Sequence, residues 1–343
     1  MSNIFENKII LVTGGVGSIG SKVVEGLLNY NPKQIRIFDN RETEEFAMQN
    51  NMAQHPNLRF LIGDVRDKNR LKIAMENVDM VFHAAALKHV PGCEYNPFEA
   101  VKTNVYGTQN VIDCALENNV ERVINISTDK VTNAINTLGA TKLLAERLIT
   151  TARHYHGGKR TLFCSVRFGN VLKSRGSVIE IFEEQIKNGN HITITNHNMT
   201  RFFISVQQAV NLVFKATELM QGGEIFILKM PAIKLQDLAE VMIEELAPRY
   251  NKKPDQIQSK IVGVRLGERM YEDLMTEEEA EIALETDELF VVLPSRTYLH
   301  SFEMPNHSYP NAVKAAPKRY STMTTKLLTK EELYTMLKRE NII

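Results

Sequence analysis

The sequence predicts an α/β fold, a doubly wound parallel sheet with a smaller C-terminal lobe, and three observations predict it. Short β-branched runs alternate with longer amphipathic stretches through the first two-thirds of the chain, which is the pattern of βαβ units. A glycine-rich turn from Gly14 to Gly20 directly follows the first of those runs. An acidic residue, Asp39, ends the second run, about twenty residues further on.

The elements follow in order. Strands are expected at 8–13, 34–38, 59–62, 80–84, 122–127 and 161–168. Helices are expected at 17–30, 98–118 and 139–156, where apolar residues recur at three- and four-residue intervals, as at Val24, Leu27 and Leu28. After Phe168 the rhythm changes to a polar, glycine-containing segment, then a strand at 191–195 and a βα stretch at 224–228 and 235–246. The tail 295–319, rich in Pro, Ser, Tyr and His, reads as irregular structure packed on or near the body. Thr329-Lys-Glu-Glu has the form of a capping box and starts a last helix.

Composition narrows the function classes. Lys plus Arg and Asp plus Glu are both 41, so the 343-residue chain has no global basic surface to recruit nucleic acid. Any anion site is therefore local. The three cysteines, Cys93, Cys114 and Cys164, are scattered without a CxxC pair or metal-like spacing, which favours a reducing compartment. The N-terminus lacks the pattern of a signal peptide, and no run approaches the ~18 apolar residues of a membrane helix. A soluble, cytoplasmic protein is expected.

The turn in IILVTGGVGSIG (9–20) points to a dinucleotide. Gly14, Gly17 and Gly20 suit a tight turn, close approach to a pyrophosphate and close packing of helix on sheet, with Ser18 and Ile19 inside the same turn. The sheet is then of Rossmann type. Asp39 suits the adenosine ribose hydroxyls and repels a 2′-phosphate, so NAD is favoured, while Arg41 keeps NADP as an alternative. Asp64 and Val65 after the third strand, and Ala84 at the end of the fourth, complete the cofactor set. Residues 1–168 are thus read as a dinucleotide-binding domain to which 201–228 returns, and 169–200 with 229–343 as a substrate-binding lobe and tail.

Ligands of open α/β sheets bind at the carboxyl ends of strands. Asp129 and Lys130 stand there, adjacent titratable groups whose proximity can tune both, as an acid/base pair requires. Arg175, Arg201 and Arg265 are suited to phosphate, because guanidinium forks match its oxygens. His83 and His89 have no third ligand at a suitable spacing, so no metal is expected.

At this point the motifs become specific. TGGVGSIG (13–20), HAAALKHVP (83–91), STDK (127–130), GATK (139–142), RFGNV (167–171), SRGSVI (174–179), MTRF (199–202) and RLGE (265–268) resemble the UDP-N-acetylglucosamine 4,6-dehydratases of bacterial surface-glycan synthesis. The likeness spans nearly the whole chain and is weakest after Pro294. It implies hydride removal from sugar carbon 4, proton loss at carbon 5, departure of water from carbon 6 and hydride return to carbon 6. It assigns Asp129 to protonating the departing hydroxyl, Lys130 to removing the carbon-5 proton and Thr128 to holding the carbon-4 hydroxyl. It also assigns Arg265 to the nucleotide diphosphate, Glu268 to a ribose hydroxyl, and Lys88 and Asn170 to the sugar pocket. A homo-oligomer paired through helices 98–118 and 139–156 is expected for this fold class.

One departure is informative. Short-chain dehydrogenases generally carry YxxxK, with Tyr and Lys one helical turn apart. Here the frame reads Leu138-Gly-Ala-Thr-Lys142, so Lys142 is in place for the nicotinamide ribose but Leu138 has no proton to trade. Asp129, directly or through Thr128, is the leading candidate for the carbon-4 hydroxyl. A nucleotide-sugar 4-epimerase or reductase, and a silent NAD-binding sensor or scaffold, are the alternatives. FDNRE (38–42) resembles the branch that retains configuration at carbon 5, and 280–294 resembles the inverting branch.

Overall fold

Six parallel strands carry the first half of the chain: β1 (Ile9–Thr13), β2 (Gln34–Asp39), β3 (Leu58–Ile62), β4 (Met80–His83), β5 (Arg122–Ile126) and β6 (Leu162–Arg167). The computed structural model describes residues 3–152, 160–174, 176–189, 191–264, 267–294 and 307–343. The strands lie in the order β3-β2-β1-β4-β5-β6, followed by a parallel strand Ile225–Leu228. This is the doubly wound, Rossmann-type sheet that the sequence predicts.

Helices cover both faces, which is why the central strands are apolar on both sides. On one face Val23, Val24 and Leu27 of the helix Gly20–Leu27 join Val210, Val213 and Phe214 of the helix Val206–Leu219 in one core. On the other, Leu71, Val111, Ile112 and Ile149 come from the helices Lys68–Ala74, Gly107–Glu117 and Thr137–Thr151.

The second lobe has its own core. Ile179 and Phe182 of the helix Val178–Asn188, Leu238 and Met242 of Leu235–Leu246, and Leu333 and Leu337 of Lys330–Arg339 form it. The capping box holds: the Thr329 hydroxyl accepts from the Glu332 backbone N–H at 3.2 Å, and the Glu332 carboxylate accepts from the Thr329 N–H at 2.8 Å. Among the described residues no helix is long and apolar enough to cross a membrane.

The structure departs from the sequence expectation in several places. The segment 229–343 is divided, because Leu289–Val292, Ala283–Glu285 and Val313–Lys314 continue the main sheet as antiparallel strands beyond Ile225–Leu228. They pair backbone groups that an exposed sheet edge would leave open. Thr200–Ile204 instead joins Ala232–Lys234 and Asn170–Val171 in a separate three-stranded sheet, so the return to the main sheet begins at the helix Val206–Leu219. The helix expected at 98–118 is interrupted by a π-helical segment, Val101–Tyr106. The helix expected at 17–30 begins only at Gly20, after the glycine turn. The end of the helix expected at 139–156 and the tail residues 295–306 fall outside the described residues.

Candidate active site

The chain reverses its direction of winding between β1 and β4, and a crevice opens beyond the carboxyl ends of these strands. The glycines there are required by space as well as by backbone angle. Gly14 has φ +66°, and a Cβ on it would lie 2.6 Å from the Ala85 nitrogen. A Cβ on Gly20 would lie 2.2 Å from the Gly14 carbonyl oxygen. The turn therefore presents bare backbone to the crevice, as a pyrophosphate site needs.

Asp39, at the end of β2, is buried and accepts the Val16 N–H at 3.2 Å. Arg41 lies along the same carboxylate, Nε at 3.0 Å from one oxygen and Nη2 at 3.1 Å from the other. Asp64 accepts from Asn40 Nδ2 at 3.1 Å and from the Arg66 backbone N–H at 2.9 Å. These residues fit an adenosine end whose ribose would meet a carboxylate already paired with a guanidinium.

One cleft of about 1550 Å³ runs from this end to the end of β5 and under the second lobe. Gly14, Gly17, Ser18, Ile19, Gly20, Asp39, Asp64, Val65 and Ala84 line one part of it. Thr128, Asp129, Lys130 and Lys142 line the middle, and Lys88, Asn170, Arg201 and Glu268 the far part. Arg175 and Arg265 lie outside the described residues.

At the end of β5 the Thr128 side chain caps a short turn, Asp129–Val131. Its hydroxyl donates to Asp129 Oδ1 at 2.9 Å. Lys130 Nζ donates to both oxygens of Asp129, at 3.0 and 3.1 Å. Asp129 is buried, while the Lys130 side chain is 31% exposed to the cleft.

A third ionisable group, Glu272, completes the patch from the opposite wall. Its carboxylate accepts from Asn170 Nδ2 at 3.0 and 2.9 Å and from the Phe202 N–H at 2.9 Å. Arg201 Nε lies at 3.3 Å and Lys130 Nζ at 4.0 Å from it. Burial, reinforced by Asp129, pushes the Glu272 carboxyl up to about 7 although Arg201 and Lys130 pull it down. Burial works against the Lys130 ammonium, but the charges of Asp129 and Glu272 outweigh it and raise the group. Arg201 also faces Glu268 at 3.5 Å, so a phosphate reaching its fork competes with two carboxylates.

Lys142 belongs to the helix Thr137–Thr151, whose first turn Asn136 caps by accepting from the Gly139 N–H at 2.7 Å. Its Nζ donates to the Ile126 carbonyl at 2.5 Å. Burial lowers it to about 8, with Glu146 partly opposing. Leu138, one turn earlier, is buried against Cys93 and Ala100 and also lines the cleft.

Glu272 and Arg167 were not singled out from the sequence. Arg167 is fully buried at the end of β6 and binds Glu146 at 2.5 Å, Glu279 at 2.9 Å and the Leu274 carbonyl at 2.7 Å. It thereby ties the helix bearing Lys142 to the segment bearing Glu272. RFGNV placed Arg167 in a motif, but nothing local marked its two carboxylate partners. His83 is buried at the cofactor end, with Nδ1 at 2.8 Å from the Thr13 hydroxyl and Nε2 at 3.0 Å from the Thr108 hydroxyl. Thr108 donates its own proton to the Asn104 carbonyl, so His83 donates through Nε2 and accepts through Nδ1. Among the described residues no group of His, Cys, Asp and Glu is arranged to hold a metal ion.

A family model described as polysaccharide biosynthesis protein matches residues 10–294. A protein of Methanocaldococcus jannaschii named as an uncharacterized membrane protein is 56% identical over 86% of this chain and 88% of its own length. The inverting UDP-N-acetylglucosamine 4,6-dehydratase of Campylobacter jejuni is 44% identical over 85% of this chain and 84% of its own. A UDP-glucose 4-epimerase of Rickettsia rickettsii is 42% identical over 80% of each. Among solved structures, Pen from Bacillus thuringiensis superposes with a TM-score of 0.91 at 42% identity, covering 99% of both chains.

Proposed function

The chain belongs to the polysaccharide biosynthesis protein family, and on that premise we propose that it is an NAD-dependent UDP-N-acetylglucosamine 4,6-dehydratase of the cytosol. The observation that carries this reading is the acid/base patch of Thr128, Asp129 and Lys130 at the end of β5, in one cleft with the glycine turn. The Campylobacter relative's activity supports the substrate and the reaction.

Gly14, Gly17 and Gly20 would hold the pyrophosphate of NAD, Asp39 its adenosine ribose and Lys142 its nicotinamide ribose. NAD when bound supplies hydride exchange with the sugar. The chain's own residues handle the protons. Thr128 already donates to Asp129, and its oxygen, which accepts the Lys130 N–H on one lone pair, would accept the carbon-4 hydroxyl proton on the other as its own passes to Asp129. Asp129 then protonates the departing carbon-6 hydroxyl while Lys130 removes the carbon-5 proton. A positioned acid or base of this kind is worth typically 10² to 10⁴ in rate. Lys88 and Asn170 would line the sugar, Arg175, Arg201 and Arg265 the diphosphate, and Glu268 the uridine ribose.

Free, buried Cys93, Cys114 and Cys164 support a reducing compartment. Exposed Phe98, Tyr106 and Leu144, on the helical stretches read as a pairing surface, support a homo-oligomer.

The test is to incubate the purified protein with UDP-N-acetylglucosamine in deuterated water and identify the product by NMR. The reading expects a 4-keto-6-deoxy sugar with solvent deuterium at carbon 5, and the couplings there report retention or inversion. The Rickettsia relative favours a second reading, 4-epimerisation. A 4-epimer without loss of water would select it, and an unchanged sugar would select the silent NAD-binding protein.

A further inference from the structure

The reading above requires Lys130 to act as a free amine, yet the structure surrounds it with groups that favour its ammonium. Asp129 binds it at 3.0 and 3.1 Å, and Glu272 stands 4.0 Å away. The protons of the resting pair do not match those the reaction starts from. Asp129 must begin as a carboxylate to receive the carbon-4 proton, and Lys130 must begin neutral to receive the carbon-5 proton. The ion pair in the structure carries one proton too many for that start.

We propose that Glu272 is a positioning residue that takes up this extra proton in the reactive arrangement, the minor proton distribution in which Asp129 is ionised and Lys130 is a free amine. The step breaks one N–H bond of the Lys130 ammonium and forms one O–H bond on Glu272, so total charge is unchanged. Closing the 4.0 Å gap takes a small rotation of the Lys130 side chain, which is 31% exposed and has rotamer freedom. The inference rests on the dehydratase reading and names a residue that the reading does not use.

Three observations support Glu272 over solvent as the acceptor. It is the one other carboxylate that Lys130 Nζ reaches within 4.0 Å among the described residues. It is buried, with both oxygens fixed by Asn170 and the Phe202 N–H, so its geometry is set before substrate arrives. The groups facing it are Asp129 and Lys130 from the end of β5, Asn170 from Asn170–Val171 and Arg201 from Thr200–Ile204. Burial and Asp129 make the acid form accessible near neutral pH, with Arg201 and Lys130 opposing.

The two possible acceptors predict different pH profiles. If the proton stays inside the site, the active arrangement is a fixed fraction of one protonation state, so turnover is flat from about pH 7.5 to 9. If Lys130 must lose its proton to solvent, turnover rises about tenfold per pH unit below its pKa.

The experiment compares kcat against pH for wild type, Glu272→Gln and Glu272→Asp, each checked for folding by thermal melting. The expected result is a flat profile for wild type and Glu272→Asp, and a rising one for Glu272→Gln. A second readout is independent of turnover: the rate of Lys130 acetylation by acetic anhydride, followed by mass spectrometry. Removing the internal acceptor should turn a labelling profile that is flat from about pH 7.5 to 9 in wild type into one that rises with pH in Glu272→Gln. A Glu272→Gln variant that folds, turns over and keeps the flat profile overturns the inference, as does unchanged labelling. Absence of 4-keto-6-deoxy product from wild type overturns the dehydratase reading instead.

Discussion

Arg41 lies along the Asp39 carboxylate, with Nε 3.0 Å from one oxygen and Nη2 3.1 Å from the other. The residue proposed to select against a 2′-phosphate is thus paired with the residue proposed to accept one. The hydrogen bonds and charge of Asp39 raise the Arg41 guanidinium, with burial opposing.

The first prediction follows from that pairing. Asp39→Ala should weaken NAD binding roughly ten- to a hundredfold, the range of one or two hydrogen bonds to a charged group. Arg41→Ala should widen the preference for NAD, because Asp39 then meets a 2′-phosphate without its counter-charge. Calorimetric titration with both dinucleotides checks this. Tighter wild-type binding of NADP than of NAD would move the selecting role to Arg41.

The second prediction concerns the Asp129–Lys130 pair. Asp129→Asn and Lys130→Ala should each lower kcat by about 10² to 10⁴. Neither residue belongs to the proposed NAD site, so NAD affinity should change little. Near-normal turnover in both variants would end the acid/base assignment.

The third prediction addresses Leu138, which is buried one turn before Lys142 against Cys93 and Ala100. Leu138→Met conserves volume and should cost under about 1.5 kcal/mol of stability with activity nearly unchanged. Leu138→Tyr restores a phenol beside Lys142 without removing Thr128 or Asp129, and no large gain is expected. A gain of about a hundredfold, the scale of one added base, would show that the native site lacks an effective base at carbon 4.

The fourth prediction concerns Arg167. It is fully buried between Glu146 and Glu279, and its ties join the helix of Lys142 to the segment of Glu272. Arg167→Met leaves two buried carboxylates without their cation and should cost about 3–5 kcal/mol in urea unfolding. A loss under about 1 kcal/mol, typical of an exposed pair, would show that the cluster holds nothing together.

The fifth prediction is a pH dependence. Burial, then the charge of Lys142, pushes His83 from its ordinary 6.5 down to about 3. The unfolded chain binds this proton below pH 6.5 and the folded chain does not. Stability present above pH 6.5 is therefore lost as pH falls toward 3, at up to ~1.4 kcal/mol per pH unit. His83→Gln should lose stability less steeply over that window. Equal slopes in denaturant melts of the two proteins would contradict it.

By itself the sequence determined the parallel sheet, the glycine turn with Asp39, and the placement of Asp129 and Lys130 at a strand end. These are local properties. An apolar run bounded by turn residues, a glycine spacing and a residue's offset from a strand are all contained in a few adjacent positions. Leu138 in place of a tyrosine was legible for the same reason.

What only the tertiary structure decided lies between residues far apart in the chain. Glu272 is 102 residues from Asn170 yet accepts both hydrogen bonds from its amide, and Arg167 reaches Glu279 across 112 residues. The antiparallel strands that extend the sheet past Ile225–Leu228 come from a segment assigned to the other lobe. A buried carboxylate has no sequence signature, because its spacing from its partners is set by how two lobes close on one cleft. The raised carboxyl of Glu272 and the raised ammonium of Lys130 are consequences of that closure, since burial and neighbouring charge shift a group only once the chain has brought them together.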